Sequence, residues 1–141
     1  MAEWQIEFYE DENGKRPVEK WMRSLEDDKF SAITKAHDSV LCLQGINLLQ
    51  GSWLKALGGG IYEFRVRHSA EQIEGLYTQK KRGVAKQNSN ILLREFIAFR
   101  KGKIILLLGA YDKGEDPSKK TQQEQINLAR KRLQDWDRRS N

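Results

Sequence analysis

Leu93-Arg94-Glu95-Phe96-Ile97-Ala98-Phe99, then Arg100-Lys101-Gly102-Lys103, then Ile104-Ile105-Leu106-Leu107-Leu108-Gly109-Ala110-Tyr111-Asp112-Lys113 is the stretch whose reading decides the fold. The run from Ile104 to Leu108 has no polar alternation, so it reads as a strand covered on both faces and is too short to cross a membrane. It is expected to be the central strand. The polar, glycine-containing connection makes 91–111 a hairpin, and hence the core antiparallel. Upstream, Ile61-Tyr62-Glu63-Phe64-Arg65-Val66-Arg67 alternates with the period of a strand. Tyr62, Phe64 and Val66 share one face, and Glu63, Arg65 and Arg67 share a charged one.

Working outward, Leu54 to Gly60 leads into that strand, and Gly58-Gly59-Gly60 permits a sharp left-handed turn. At the N-terminus, Trp4, Ile6 and Phe8 alternate with Gln5, Glu7 and Tyr9 as a short strand, closed by Asp11-Glu12-Asn13-Gly14. Pro17 suits a first helical position, and Val18, Trp21, Met22 and Leu25 follow at helical spacing. A second helix is expected, capped by Asp27 or Asp28, with Phe30, Ile33, His37, Val40 and Leu41 on its stripe and Gly45 as its stop. His37 reads as a packing residue, because no second metal ligand accompanies it. Ile46 to Trp53 reads as a connector. At the other end, Gly114-Glu115-Asp116-Pro117-Ser118 breaks the chain before a last helix. Its cap is either Asp116 or the Thr121–Glu124 capping box. Ile126, Ala129, Leu133 and Trp136 form that helix's apolar stripe, opposite Lys119, Lys120, Arg130, Lys131 and Arg132.

With 141 residues, 38% of them hydrophobic, the chain suits one domain with one core. A lone Cys42 in an apolar helical run forms no internal disulfide and fits a reduced, cytoplasmic setting; no apolar signal segment or membrane-length run is read. Charge is divided. Residues 1–28 hold four Lys/Arg against nine Asp/Glu, a net of −5, which leaves +10 on the remainder of a chain whose total is +5. A field of that sign attracts polyanions, of which nucleic acid is the commonest inside a cell. A phosphate loop, Cys/His metal spacing and a nucleophile elbow are all absent, so no metal or cofactor is expected.

The stretch from 68 to 90 is the least regular. Ile73 to Tyr77 is compatible with a further strand. The polar run after it reads as a loop whose cations, Lys80, Lys81, Arg82 and Lys86, suit either phosphate contacts or a plain solvated insertion. What stands out is the recurrence of cations on adjoining strands, Arg65, Arg67 and Arg94, near a chain reversal carrying Lys113, Lys119 and Lys120. Glu63 and Glu95 are their obvious ion-pair partners.

In its order of strand, two helices, Leu57-Gly58-Gly59-Gly60-Ile61-Tyr62-Glu63-Phe64-Arg65-Val66-Arg67, Leu93-Arg94-Glu95-Phe96, the 104–113 strand and a last helix, the chain resembles the RelE/ParE toxin superfamily, above all its HigB-like, phage-derived branch. The resemblance spans roughly Trp4 to Trp136, apart from the 68–90 insertion. It implies an α+β fold, with two N-terminal helices packed on a small antiparallel sheet and a C-terminal helix. It also implies a cytoplasmic toxin of a toxin–antitoxin pair, inhibited by a helix-turn-helix, HigA-like antitoxin and acting at no membrane. Many members cleave mRNA on the ribosome without a metal; ParE-like members bind DNA gyrase instead. A non-enzymatic, phage-derived nucleic-acid-binding module is a third possibility. Carried over by motif, Arg65, Arg94 and Lys113 match catalytic basic positions; Arg65 and Arg94 suit charge stabilisation and Lys113 proton transfer, with Tyr111 or Glu63 as its candidate helper. Arg67, Lys80, Lys81, Arg82, Lys86, Lys119 and Lys120 are the RNA-binding candidates. Where many HigB-like members carry histidine, a hydrophobic residue and paired lysines, this chain has Gly109-Ala110-Tyr111-Asp112-Lys113. No residue is matched by motif to the late catalytic tyrosine of some relatives, which leaves the acid and base open.

Overall fold

A computed structural model describes residues 3–78 and 90–140. Among them, the elements follow in the order β1 (Gln5–Phe8), α1 (Pro17–Arg23), α2 (Asp27–Ala36), a π-helical turn (His37–Leu41), α3 (Cys42–Gln44), a 3-10 turn (Gly45–Gln50), β2 (Leu54–Gly58), β3 (Ile61–Val66), α4 (Ala70–Thr78), β4 (Leu93–Arg100), β5 (Ile104–Asp112) and α5 (Lys119–Arg139). The class is α+β. The strands form one sheet in the order β1-β5-β4-β3-β2.

Three expectations about the sheet are corrected. It is mixed rather than antiparallel, because β1 lies parallel to β5, with Gln5 opposite Ile104 and Phe8 opposite Leu107. β4, not β5, is its middle strand. The lead-in to β3 is itself an edge strand, β2, paired with β3 across the three-glycine turn. Gly58, Gly59 and Gly60 all have positive φ, as the turn demands.

The predicted 91–111 hairpin is present, with β4 antiparallel to β5. The unbroken run of β5 is explained by two cores, one on each side of the sheet. Ile105 and Leu107 pack with Val18, Met22, Ile33, Val40, Leu41 and Ile73 under the N-terminal helices. Leu106 and Leu108 pack with Ile126, Ala129 and Leu133 of α5 on the opposite face. Glu63 therefore does not lie on a solvated face, since α5 covers that side and Glu63 is 1% exposed.

Helix ends also depart from the sequence reading. Glu26 precedes α2 without a side-chain cap, and Asp27 and Asp28 lie in its first turn, where carboxylates suit the helix dipole. For α5, Ser118 is the cap: its hydroxyl accepts from the Thr121 backbone N–H. Asp116 supports this turn by accepting from the Ser118 N–H and the Thr121 hydroxyl. Residues 73–77 lie in helix α4 rather than a strand. A capping box opens that helix: the Ser69 hydroxyl accepts from the Gln72 N–H at 3.2 Å, and the Gln72 side chain accepts from the Ser69 N–H at 2.8 Å.

Gly45 ends the second helical run at φ +49, and a Cβ there would overlap the Trp4 indole, which packs into the first core. Gly45→Ala thus combines a strained backbone with a steric clash. Backbone strain of this kind alone costs ~1–3 kcal/mol. A drop in chemical-denaturation stability of at least that size is expected, with the fold retained.

Candidate functional site

Cross-strand register builds the site. Arg65 of β3 lies directly opposite Arg94 of β4, and Arg94 lies directly opposite Tyr111 of β5. On β4, strand alternation sends Leu93, Glu95 and Ile97 to the helical-hairpin side and Arg94 and Phe96 to the α5 side. Tyr111 would not follow Leu106 and Leu108 to that side by simple alternation, because its position has the opposite parity. A bulge corrects this: Phe96 pairs with Gly109 while Ile97 pairs with Leu107, so Leu108 is the extra residue. After the bulge, Ala110 joins the first core and Tyr111 the second. Three side chains, Arg65, Arg94 and Tyr111, thus form a row under the start of α5, with the Tyr111 ring stacked on Phe96 at 6.2 Å.

Glu63 completes the cluster from two residues back on β3. Its Oε1 accepts from Arg65 Nε at 2.8 Å, and its Oε2 accepts from the Gln122 amide of α5 at 2.8 Å. Two arginines directly opposite each other repel, and the buried Glu63 carboxylate offsets this. The row remains rich in donors. Arg94 Nη1 donates to the Leu93 carbonyl at 3.2 Å. Arg94 Nε and the Tyr111 hydroxyl are buried and have no hydrogen-bond partner among the described residues. Such groups are costly, and each calls for a reason. Burial pushes the Arg94 guanidinium below its ordinary range, against the pull of Glu63. Burial also raises the Tyr111 phenol, with Glu63 acting in the same direction and Arg94 opposing. Tyr111 is therefore a protonated donor at neutral pH.

Of the other expected residues, Lys113 follows β5, and its backbone N–H donates to the Leu92 carbonyl. Its ammonium makes no ion pair or hydrogen bond among the described residues. Arg67 is exposed and donates to the Ser52 carbonyl. Lys119 and Lys120 are exposed at the first turn of α5. Lys80, Lys81, Arg82 and Lys86 lie outside the described residues. Arg130 and Arg132 do not belong to a solvated face: Arg130 holds the Leu57 and Gly58 carbonyls and Arg132 the Leu108 carbonyl, tying α5 to the sheet. Glu95 does not pair with the arginines either. It points to the other side and meets His37 Nε2 at 2.7 Å. Gln122 was missed; the only hint was its place in a polar turn just before the apolar stripe of α5.

Among the described residues, no group of three or more His, Cys, Asp or Glu side chains is placed to hold a metal. None of their helices is long and apolar enough to cross a membrane. Comparison with models of protein families finds no match, and comparison with curated proteins finds none.

Proposed function

We propose that the chain is a RelE/ParE-like toxin of the HigB-like kind that cleaves mRNA on the ribosome, using its own side chains for the chemistry. The observation that carries this reading is the pair of buried donors without acceptors, Arg94 Nε and the Tyr111 hydroxyl, beside Arg65 braced by Glu63. A phosphodiester supplies what they lack: several acceptor oxygens whose negative charge grows in the transition state.

In this mechanism the RNA 2′-hydroxyl loses its proton to solvent and its oxygen attacks the adjacent phosphorus, while the covered Glu63 carboxylate keeps Arg65 and Gln122 in position. Arg65 and Arg94 hold the equatorial oxygens of the phosphorane. The bond to the 5′-oxygen breaks as Tyr111 donates its proton, leaving a 2′,3′-cyclic phosphate. Lys113, Arg67, Lys119 and Lys120 flank the row and contribute attraction for the strand. Each donor aimed at developing charge is typically worth ~10²–10³ in rate. Arg65→Ala and Arg94→Ala are each expected to lose that much cleavage, and the soluble, normally melting double variant to lose growth arrest. Retained toxicity in that variant removes the assignment. Primer extension on cellular mRNA after induction should show codon-phased cuts; intact mRNA with accumulating DNA breaks would indicate a gyrase-directed toxin instead.

The partner in this reading is a basic surface of a helix-turn-helix antitoxin. Glu26, Asp27 and Asp28 are exposed at the start of α2, and Asp27 and Asp28 line a cleft with Ser31, Ser69 and Glu71. That surface belongs to the helical layer on the face opposite Arg94, so an inhibitor seated there leaves the arginines uncovered. Opposite charge speeds encounter more than it deepens affinity. Asp27→Lys with Asp28→Lys is expected to slow complex formation at low salt more than charge reversal at Arg65 and Arg94. Stopped-flow association rates decide, and the reverse ordering rejects the proposed docking face.

A further inference from the structure

A second cleft, of about 480 Å³, opens where the β1–α1 loop, α1 and α5 meet. Tyr9 and Pro17 form its apolar walls, and Lys15, Arg16, Lys20 and Arg132 line it. These cations come from two parts of the chain more than a hundred residues apart. Arg16 is neutralised by Glu10 at 2.8 Å. The ammonium groups of Lys15 and Lys20 make no ion pair among the described residues. Arg132 is held in place: Nη1 donates to the Leu108 carbonyl at 2.8 Å, and the guanidinium lies over the Tyr9 ring, 6.0 Å from its centroid. Asp11 is the one carboxylate on the lining, and its Oδ1 already accepts from the Asn13 and Lys15 backbone N–H groups. The exposed Lys15 and Lys20 and the half-buried Arg132 therefore share the cleft with one carboxylate; burial is the main influence pushing Arg132 below its ordinary range, and Tyr9 and Asp11 oppose it. An anion with several acceptor oxygens matches such a set of donors.

We propose that this cleft is an anion site that takes a phosphate group, with Arg132 as its fixed donor and Lys15 and Lys20 closing over the ligand. The proposal does not rest on the nuclease reading. Arg132 lies ten residues beyond Gln122 on α5, about 15 Å along the helix at 1.5 Å per residue, so one phosphate cannot serve both sites.

Two probes separate the sources of such a group: inorganic phosphate, and a short single-stranded oligodeoxynucleotide, which has no 2′-hydroxyl to attack with. Amide NMR with inorganic phosphate is expected to shift the Asn13, Lys15 and Lys20 signals in a saturable way. Lys15→Gln with Lys20→Gln should weaken that binding at least fivefold, while the signals of Arg94 and Tyr111 stay in place. If the phosphates of a strand also occupy the cleft, the slope of log affinity against log salt for the oligonucleotide should fall by ~0.7 for each lysine removed. An unchanged slope, with the phosphate shifts intact, assigns the site to free phosphate or a small phosphate ester. Absence of any saturable shift at these amides with either probe, or shifts that survive the double substitution, overturns the proposal.

Discussion

Tyr111→Phe is expected to cut cleavage by ~10²–10⁴, the usual range for a positioned proton donor, while leaving the fold as stable as before or more so. These two effects separate because the hydroxyl is buried without a partner. In the resting protein it contributes nothing to offset its lost hydration, and an unsatisfied buried group of this kind costs ~1–3 kcal/mol. Removing it while keeping the ring retains the stacking on Phe96 and the contacts of the second core. A pH profile adds a second check. The Tyr111 phenol is raised above its ordinary value, first by burial and then by Glu63. As an acid it is competent throughout the neutral range and fails only as pH rises through that raised value. In the proposed mechanism the parent protein should therefore lose rate at alkaline pH, and Tyr111→Phe should lose that descending limb along with most of its activity. A variant that keeps full activity, or that melts well below the parent, would remove Tyr111 from the mechanism.

Much of this arrangement can be read from the residues, and the unreadable parts have identifiable causes. The β4–β5 hairpin is legible because an uninterrupted aliphatic run needs cover on both faces, and two cores provide it. The α5 stripe is legible too, since Ile126, Ala129 and Leu133 are all buried at helical spacing. The bulge at Leu108 is not, because nothing local marks where one strand takes an extra residue relative to its partner. That single residue decides whether Tyr111 or Ala110 shares a face with Arg94. Parallel pairing of β1 with β5 is likewise a contact between distant segments that a short alternating run cannot specify. Helix α4 was missed for a different reason. Ser69 and Gln72 carry a capping box in plain sight, but Ile73 to Tyr77 is too short for periodicity to separate helix from strand. Glu95 was assigned to the wrong partner although parity alone excludes it: adjacent residues on a strand face opposite ways, so Arg94 and Glu95 cannot share a cluster.

That parity creates the most consequential structural feature away from the site. His37 Nε2 lies 2.7 Å from Glu95 Oε1, with the side chains 6% and 0% exposed, and the second Glu95 oxygen has no partner among the described residues. The pair joins the π-helical turn to the middle strand of the sheet, and the His37 ring lies 6.4 Å from Phe64. His37→Leu removes the single side-chain partner seen for a carboxylate that water cannot reach. Breaking a buried pair from one side typically costs ~3–5 kcal/mol, a large part of the total stability of a domain this size. Glu95→Gln keeps shape and an oxygen acceptor and should cost less than that. The decisive variant is the double one, His37→Leu with Glu95→Met, which replaces both polar groups by apolar ones of similar volume inside a core of Ile33, Leu41, Phe64 and Ile97. Replacement of a buried pair by packed hydrophobic residues is often neutral or stabilising by ~1–4 kcal/mol. The double variant is thus expected to recover most of what His37→Leu loses, giving a coupling energy of several kcal/mol in a double-mutant cycle followed by urea denaturation. Because Glu95 and Arg94 face opposite sides of β4, cleavage and growth arrest should persist in the double variant. Additive losses in the cycle would show that the two side chains act separately. Loss of toxicity in a stable double variant would move Glu95 into the functional machinery and overturn the division between the two faces.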